Sequence, residues 1–241
     1  MRFRLLEQLE EYIAVIHIDD EDGTWCKIDA PSRESAVDFL IDEMKKAHPE
    51  ANYIRVDIDK INKTWERDTS LETPEQKYSS AATSINAQKL PAIFNLVNFE
   101  EGTLNLDYGG GRFDNATTAL AERGVTNFIY DPFNRTNEHN NAVIRAVRDN
   151  GGADTITCSN VLNVIAEQEV RLSVLNNIKK LLKPTGIAYF TVYEGNGTGV
   201  GAESSKGYQL NRKTRDYIDE IAMVFPREKI QPRGKLISAR P

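Results

Sequence analysis

Cysteine is nearly absent from this chain: of 241 residues only Cys26 and Cys158 are cysteines, far apart and in no Cys-x-x-Cys pattern. A disulfide framework and a cysteine-based zinc site therefore have no support, and a reducing cytoplasmic setting fits. Histidine is as scarce. His17, His48 and His139 share no metal-ligand spacing and stand in no serine-elbow context, so they read as packing or surface residues and no metal is expected. No apolar run approaches the ~20 residues that span a bilayer. The start, Met1-Arg2-Phe3-Arg4-Leu5-Leu6-Glu7, meets charges at once where a secretory leader would build an apolar segment, so neither a membrane partner nor export is expected. Positive charge is not in excess either. A net charge of −6 argues against nonspecific gripping of nucleic acid through its phosphates. Locally the balance turns basic from Lys206 onward, through Arg212, Lys213, Arg215, Arg227, Lys229, Arg233, Lys235 and Arg240. That region either meets an anionic partner such as a nucleic acid or nucleotide, or is a solvated charged face.

What the chain does have is organised around Leu104-Asn105-Leu106-Asp107-Tyr108-Gly109-Gly110-Gly111-Arg112-Phe113-Asp114, a strand that runs through an acid into three glycines and then a helix start. Glycines there allow a tight turn and a close approach by a ligand. Dinucleotide loops of the Gly-x-Gly-x-x-Gly type would need a glycine where Asp114 stands, and a carboxylate there repels a pyrophosphate. Asp107 precedes the turn, where it can accept hydrogen bonds from an ammonium group or water. The loop suits a cationic, phosphate-free nucleoside better than NAD. A plain strand-to-helix turn is the competing reading.

Residues 1–66 read as a small α+β domain: strands at Tyr12–Ile18, Thr24–Ile28 and Tyr53–Ile58, and a helix capped by Ser32 that runs to His48 before Pro49. It is a recognition module, an oligomerisation surface or a structural extension. Residues 67–101 read as a linker and leading helix. Thr64 to Pro74 is polar, and residues 78–91, rich in hydroxyls, supply either helix caps or a lid with Asn86 and Lys89 over a ligand.

From residue 102 to 241, strands alternate with helices, which predicts a mostly parallel sheet. Val125–Asp131 is a second strand ending in an acid about two dozen residues after Asp107. An acid so placed accepts hydrogen bonds from both hydroxyls of a ribose. Its competing role is to cap the turn before Pro132. Between Asp131 and the strand Ala153–Cys158 there is room for one helix only and no further strand, and the turn between them carries Phe133, which can stack, and Asn134, which can hydrogen-bond. Ser159-Asn160-Val161-Leu162-Asn163-Val164-Ile165 then puts two amides among aliphatics at a strand's carboxyl end, either facing a ligand or serving the loop and the next helix. A helix over 167–182, ended by Lys183-Pro184-Thr185-Gly186, leads into the strand Ile187–Tyr193. The stretch 194–210, glycine-rich to Gly201, reads as a gate without regular structure, 214–225 as a helix, and 227–239 as a closing hairpin.

Taken in order, Leu106–Phe113, Tyr130–Arg135, Ser159–Ile165 and Leu182–Gly186 resemble the successive motifs of class I S-adenosylmethionine-dependent methyltransferases. The run Asn160–Ile165 is most similar to a branch that includes phage-encoded methyltransferases and methyltransferases associated with DNA phosphorothioation. The resemblance covers roughly residues 78–241. It implies a Rossmann-like sheet and S-adenosyl-L-methionine as cofactor, with Asp107, Tyr108 and Gly109 to Gly111 at the methionine end. Asp131 and Pro132 then stand at the ribose, Phe133 and Asn134 at the adenine, and Asn160 and Val161 beside the methyl group. Asn163 and Glu194 are the candidates for catalysis, Glu194 as a base where the acceptor has a proton to lose. The Asn/Asp-Pro-Pro-Tyr and Pro-Cys motifs of DNA base methyltransferases are absent, and Phe113 stands where many relatives have another glycine. The methyl acceptor is left open between something nucleic-acid-related and a small molecule. A non-catalytic cofactor binder and a nicotinamide-dependent oxidoreductase are the two other classes.

Overall fold

Alternating side chains set the first unit, Met1–Asp68. The structure, a computed structural model, describes residues 9–19, 22–58, 61–66, 71, 75–78, 89–204 and 207–241. Strands β1 (Glu10–Ile18), β2 (Thr24–Ala30), β3 (Tyr53–Ile58) and β4 (Ile61–Glu66) form an antiparallel sheet in the order β2-β1-β3-β4. Tyr12, Ala14 and Ile16 of β1 and Ile54, Val56 and Ile58 of β3 point to one buried face, as period-two alternation requires. Helix α1 (Arg33–Ala47) closes that face with Ala36, Val37, Leu40 and Ile41. The Ser35 N–H donates to Ser32 Oγ at 3.2 Å to start the helix, and Lys45 and Lys46 stand at its negative end. Strand β4 corrects the expected linker: Thr64 to Glu66 pair with β3, and ladder pairing overrides their polar composition.

The second unit, Thr69–Pro241, carries α2 (Ile93–Leu96), β5 (Leu104–Tyr108), α3 (Asn115–Ala121), β6 (Thr126–Tyr130), α4 (Asn137–Asp149) and β7 (Ala153–Ser159). It continues with α5 (Gln168–Leu181), β8 (Leu182–Thr191), β9 (Gly201–Ser204), β10 (Gly207–Leu210), α6 (Ile218–Ile221), β11 (Ile230–Arg233) and β12 (Leu236–Ala239). The main sheet runs β11-β12-β8-β7-β5-β6, parallel from β8 to β6 and antiparallel at β12 and β11. This is the mostly parallel α/β sheet that the alternation predicts. Only α4 lies between β6 and β7, so no third strand intervenes there.

Period two also divides β5. Leu106 and Tyr108 enter a core with Val143, Ile144 and Val147 of α4 and Leu175 and Ile178 of α5. Asn105 and Asp107 face the other way, toward the side that α2 and α3 cover with Ile93, Phe94, Ala116 and Leu120. Asn105 is fully buried and fully bonded: its Nδ2 donates to Asn127 Oδ1 (2.7 Å) and Thr157 Oγ1 (3.2 Å), and Thr155 Oγ1 donates to its Oδ1 at 2.8 Å. A polar strip thus crosses β6, β5 and β7 beneath the glycine turn.

Three sequence expectations change here. The segment Lys183-Pro184-Thr185-Gly186 opens β8 instead of separating helix from strand, through an irregular register against β7. Residues 214–225 form a 3-10 turn over Thr214–Tyr217 and only four residues of α6, because Glu194 Oε1 takes the Thr214 N–H and the Lys179 ammonium takes the Val224 carbonyl. Residues 194–200 keep turns and bends as expected, but Gly201–Ser204 and Gly207–Leu210 pair as the β9-β10 hairpin, held at its base where Gly199 N–H donates to the Asn211 carbonyl and Asn211 N–H to the Val200 carbonyl.

One buried ion pair ties this region to α5. Arg171 and Glu220, with side chains 7% and 3% exposed, join at 2.6 Å and 3.2 Å, Arg171 Nη1 donates to the Ile165 and Ala166 carbonyls at 2.8 Å, and Arg212 shares Glu220 at 2.9 Å. Arg171→Met, which leaves a buried carboxylate half paired, is expected to lower stability by about 3 kcal/mol. Urea unfolding with an unchanged slope checks this, and a loss under about 1 kcal/mol contradicts it.

Candidate functional site

Strands β5 and β6 are parallel neighbours with Tyr108 opposite Tyr130, so the turns after them emerge side by side. Their junction is built from named bonds. Gly109 N–H donates to the Tyr130 carbonyl at 2.7 Å, and Gly111 N–H to Asp131 Oδ2 at 2.9 Å. Asp131 Oδ1 accepts the Phe133 and Asn134 N–H groups, both at 2.9 Å, and Asn134 Nδ2 at 3.1 Å. Arg135 closes the other side, its Nε donating to the Gly111 carbonyl at 2.9 Å and its Nη2 to Asp114 Oδ1 at 2.7 Å. Asn140 of α4 holds Asp131 by its backbone, accepting its N–H and donating to its carbonyl, each at 3.0 Å.

Asp131 is therefore a buried staple, 4% exposed, and it does cap the turn before α4. A carboxylate has about four acceptor positions. Oδ1 is saturated, and Oδ2 carries one N–H with capacity for one more donor. Pro132 is half buried, the Phe133 ring is 37% exposed, and the Asn134 amide is engaged twice, by Asp131 and by Arg112 Nη2 at 3.2 Å.

Beneath the turn, a Cβ on Gly110 would strike Asp107 Oδ2, and above it a Cβ on Gly109, whose φ is +77°, would strike Val161 Cγ2. Only glycine fits between these two side chains. Asp107 is 3% exposed and accepts Thr157 Oγ1 at 3.0 Å. Burial pushes its carboxyl up to about 7, the Thr157 hydroxyl opposes the rise, and the nearby Asp131 charge adds to it. Asn160, at the end of β7, is exposed with a left-handed φ of +57°, its N–H donating to the Thr191 carbonyl at 2.9 Å. A non-glycine residue held in that region stores backbone strain next to the glycine turn.

A family model described as a methyltransferase domain matches residues 78–235. The chain belongs to the methyltransferase domain family. No curated protein matches the sequence. Solved structures that it resembles include PigF with SAH, at 17% identity and a TM-score of 0.42 over 61% of this chain and 52% of that one. A TehB-like SAM-dependent methyltransferase from Corynebacterium glutamicum matches at 16% identity and a TM-score of 0.39, covering 64% of this chain and 88% of that one. CalO1, a methyltransferase of calicheamicin biosynthesis in its SAH-bound form, matches at 17% identity and a TM-score of 0.40, covering 62% and 52%. The chain spans about half the length of PigF and of CalO1.

Within this methyltransferase domain four of the expected residues are already engaged by the protein itself. Tyr108 points away from the turn into the core, its hydroxyl accepting from Asn177 Nδ2 at 3.3 Å. Asp107 lies under Gly110, with the Thr157 hydroxyl donating to it. Glu194 gives Oε1 to the Thr214 N–H at 2.9 Å and Oε2 to Lys235 at 3.3 Å, and the Thr214 N–H chiefly holds its carboxyl below the usual range. It is a poor base. Asn163 is 1% exposed and bound to Gln209 Oε1 at 3.0 Å, which ties the 3-10 turn Leu162–Val164 to β10. The basic C-terminal stretch is largely paired: Arg212 with Glu220, Arg227 with Asp219, Lys235 with Glu194, and Arg240 with the Thr185 carbonyl. Of the expected lid, Lys89 is exposed and Asn86 lies outside the described residues. No metal-binding cluster occurs among the described residues, and no helix there is long and apolar enough to cross a membrane.

Arg135 and Asn140 were missed by sequence reasoning. Their signal was present: Asn140 is a buried polar residue on the apolar face of α4, beside Val143, Ile144 and Val147.

For Asp107 the folded pKa lies above the ordinary value near 3.9, so its stabilising contribution is present at low pH and lost as pH rises from about 4 to about 7. Asp107→Asn is therefore expected to gain stability relative to the native protein between pH 4 and pH 8, by about 4 kcal/mol at most. Parallel stability curves across that range, measured by urea unfolding, contradict it.

Proposed function

We propose that this chain is an S-adenosylmethionine-dependent methyltransferase whose cofactor lies across the turns that follow β5 and β6. The observation that carries the reading is Asp131, a carboxylate locked to both turns with one acceptor position left on Oδ2, the arrangement a ribose hydroxyl requires. The exposed Phe133 supplies a face for the adenine, and the turn at Gly109–Gly111, whose Gly109 and Gly111 N–H groups are taken by Tyr130 and Asp131, lies at the methionine end. The residues fit such a ligand better than a dinucleotide, since exposed Asp114 stands where a pyrophosphate would lie.

S-Adenosylmethionine supplies a methyl group already activated by its sulfonium. The protein's part is alignment, and proximity alone lowers such a barrier by several kcal/mol. Asp131 fixes the nucleoside end. Val161, seated on Gly109, fixes the segment that carries Asn160, and Asn160 points from a strained backbone beside the reacting end. The free cysteines support a cytoplasmic location, and the run Asn160–Ile165 supports the phage and DNA-phosphorothioation branch. Residues 1–66 we place outside the cofactor site, as a separate small domain.

Calorimetry with S-adenosylmethionine, S-adenosylhomocysteine and NAD tests the reading. The first two are expected to bind saturably, and Asp131→Ala to weaken them roughly 10- to 100-fold, as lost charge-assisted hydrogen bonds would. Binding of NAD alone, or unchanged affinity in the variant, overturns it.

A further inference from the structure

Strand β2 is the outer strand of the small sheet, and its outer edge meets no other strand among the described residues. Its pairing with β1 runs in one register from Glu10 opposite Ala30 to Ile16 opposite Thr24, and Thr24–Ala30 holds neither proline nor glycine. An open, regular edge is a template for another strand unless charges guard it. The charges here are Lys27 and Asp29, of opposite sign, two positions apart on the face away from α1. A lysine alone would repel its own copy. Lys27 and Asp29 together attract it.

Within one chain that pair is unbalanced. Asp29 stands directly opposite Glu11 of β1, and Lys27, from the diagonal position, donates to Glu11 Oε1 at 3.0 Å. Like charges directly opposite are unfavourable, and Asp29 pairs with no cation among the described residues. On the α1 side, Cys26 and Ile28 pack on the core yet stay half-buried at the edge. On the other side Trp25 is 69% exposed.

A second copy of the chain supplies what is missing. When a strand pairs antiparallel with its own copy about a two-fold axis, residues of one face stand opposite each other, so the residue on the axis names the register. An axis at Lys27 or at Asp29 opposes like charges. An axis at Cys26 sets Thr24 against Ile28 and leaves Asp29 against Gly23, and axes nearer the strand ends pair fewer residues. An axis at Ile28 sets Lys27 against the second copy's Asp29 twice, Ile28 against Ile28, Cys26 against Ala30, and Trp25 against Pro31 just past the strand. Of these registers it alone opposes unlike charges while covering the apolar residues.

We propose that the chain self-associates through β2, in the register centred on Ile28, fusing two four-stranded sheets into one with both copies of α1 on the same face. The pairing joins two methyltransferase domains in one particle and is independent of the cofactor reading. Because the side chains of Lys27 and Glu11 are more than half exposed, salt is expected to weaken it.

Sedimentation equilibrium of the full chain in low salt tests the proposal. A dimer is expected, loosened roughly tenfold by Lys27→Asp or by Asp29→Lys, each of which turns two attractive cross-strand pairs repulsive. The double variant, whose charges again oppose, is expected to restore it, and circular dichroism checks that these surface variants fold. On mild oxidation, Ile28→Cys combined with Cys26→Ser is expected to link two copies faster than native Cys26 does, because directly opposite residues lie within disulfide reach. A chain that is monomeric at every concentration overturns the proposal and leaves the edge to a different partner. A dimer indifferent to both single variants, a double variant no tighter than they are, or a native Cys26 link that forms the faster overturns it as well.

Discussion

The carboxylate of Asp131 is the constraint on which the functional edge of the sheet depends. It accepts N–H groups from both turns at once, Gly111 after β5 and Phe133 and Asn134 after β6, and Asn140 fixes its backbone from α4. Parallel pairing brings the two turns together, but pairing ends with the strands. Beyond them the glycine turn has no ladder of its own, and its shape is that of the groups that bond it. Asp131 and Arg135 hold it at Gly111, and Val161 and Asp107 enclose it from above and below.

That enclosure has an electrostatic consequence. A carboxylate buried under a turn, near a second carboxylate, holds its proton toward neutral pH, so the turn sits on a group whose charge changes near pH 7. The polar strip that continues from Thr157 through Asn105 to Asn127 and Thr117 is bonded at each step, which is what makes burial of so many polar groups in one sheet face tolerable.

Much of this was legible in the sequence, and the reason differs by element. The strands Leu104–Tyr108 and Thr126–Tyr130 and helices α4 and α5 announce themselves because burial on one or both faces leaves a strong apolar period. The glycine turn was legible because three adjacent glycines have few other uses. What was not legible depended on partners distant in sequence. The direction of Tyr108 follows from the register of β5. The commitment of Glu194 follows from Thr214 and Lys235, 20 and 41 positions away. The hairpin at Gly201–Leu210 hides behind glycines that composition alone reads as a free loop, and Asn163 shows its role only once Gln209 is beside it.

The central claim is that one ligand bridges the two turns that Asp131 joins. Hydrogen–deuterium exchange with and without S-adenosylhomocysteine addresses it most directly. The account predicts slowed exchange in two separate stretches together, residues 109–112 and 131–135, rising with the same ligand concentration. Slowed exchange in only one of them, or binding that leaves both unchanged, would contradict it.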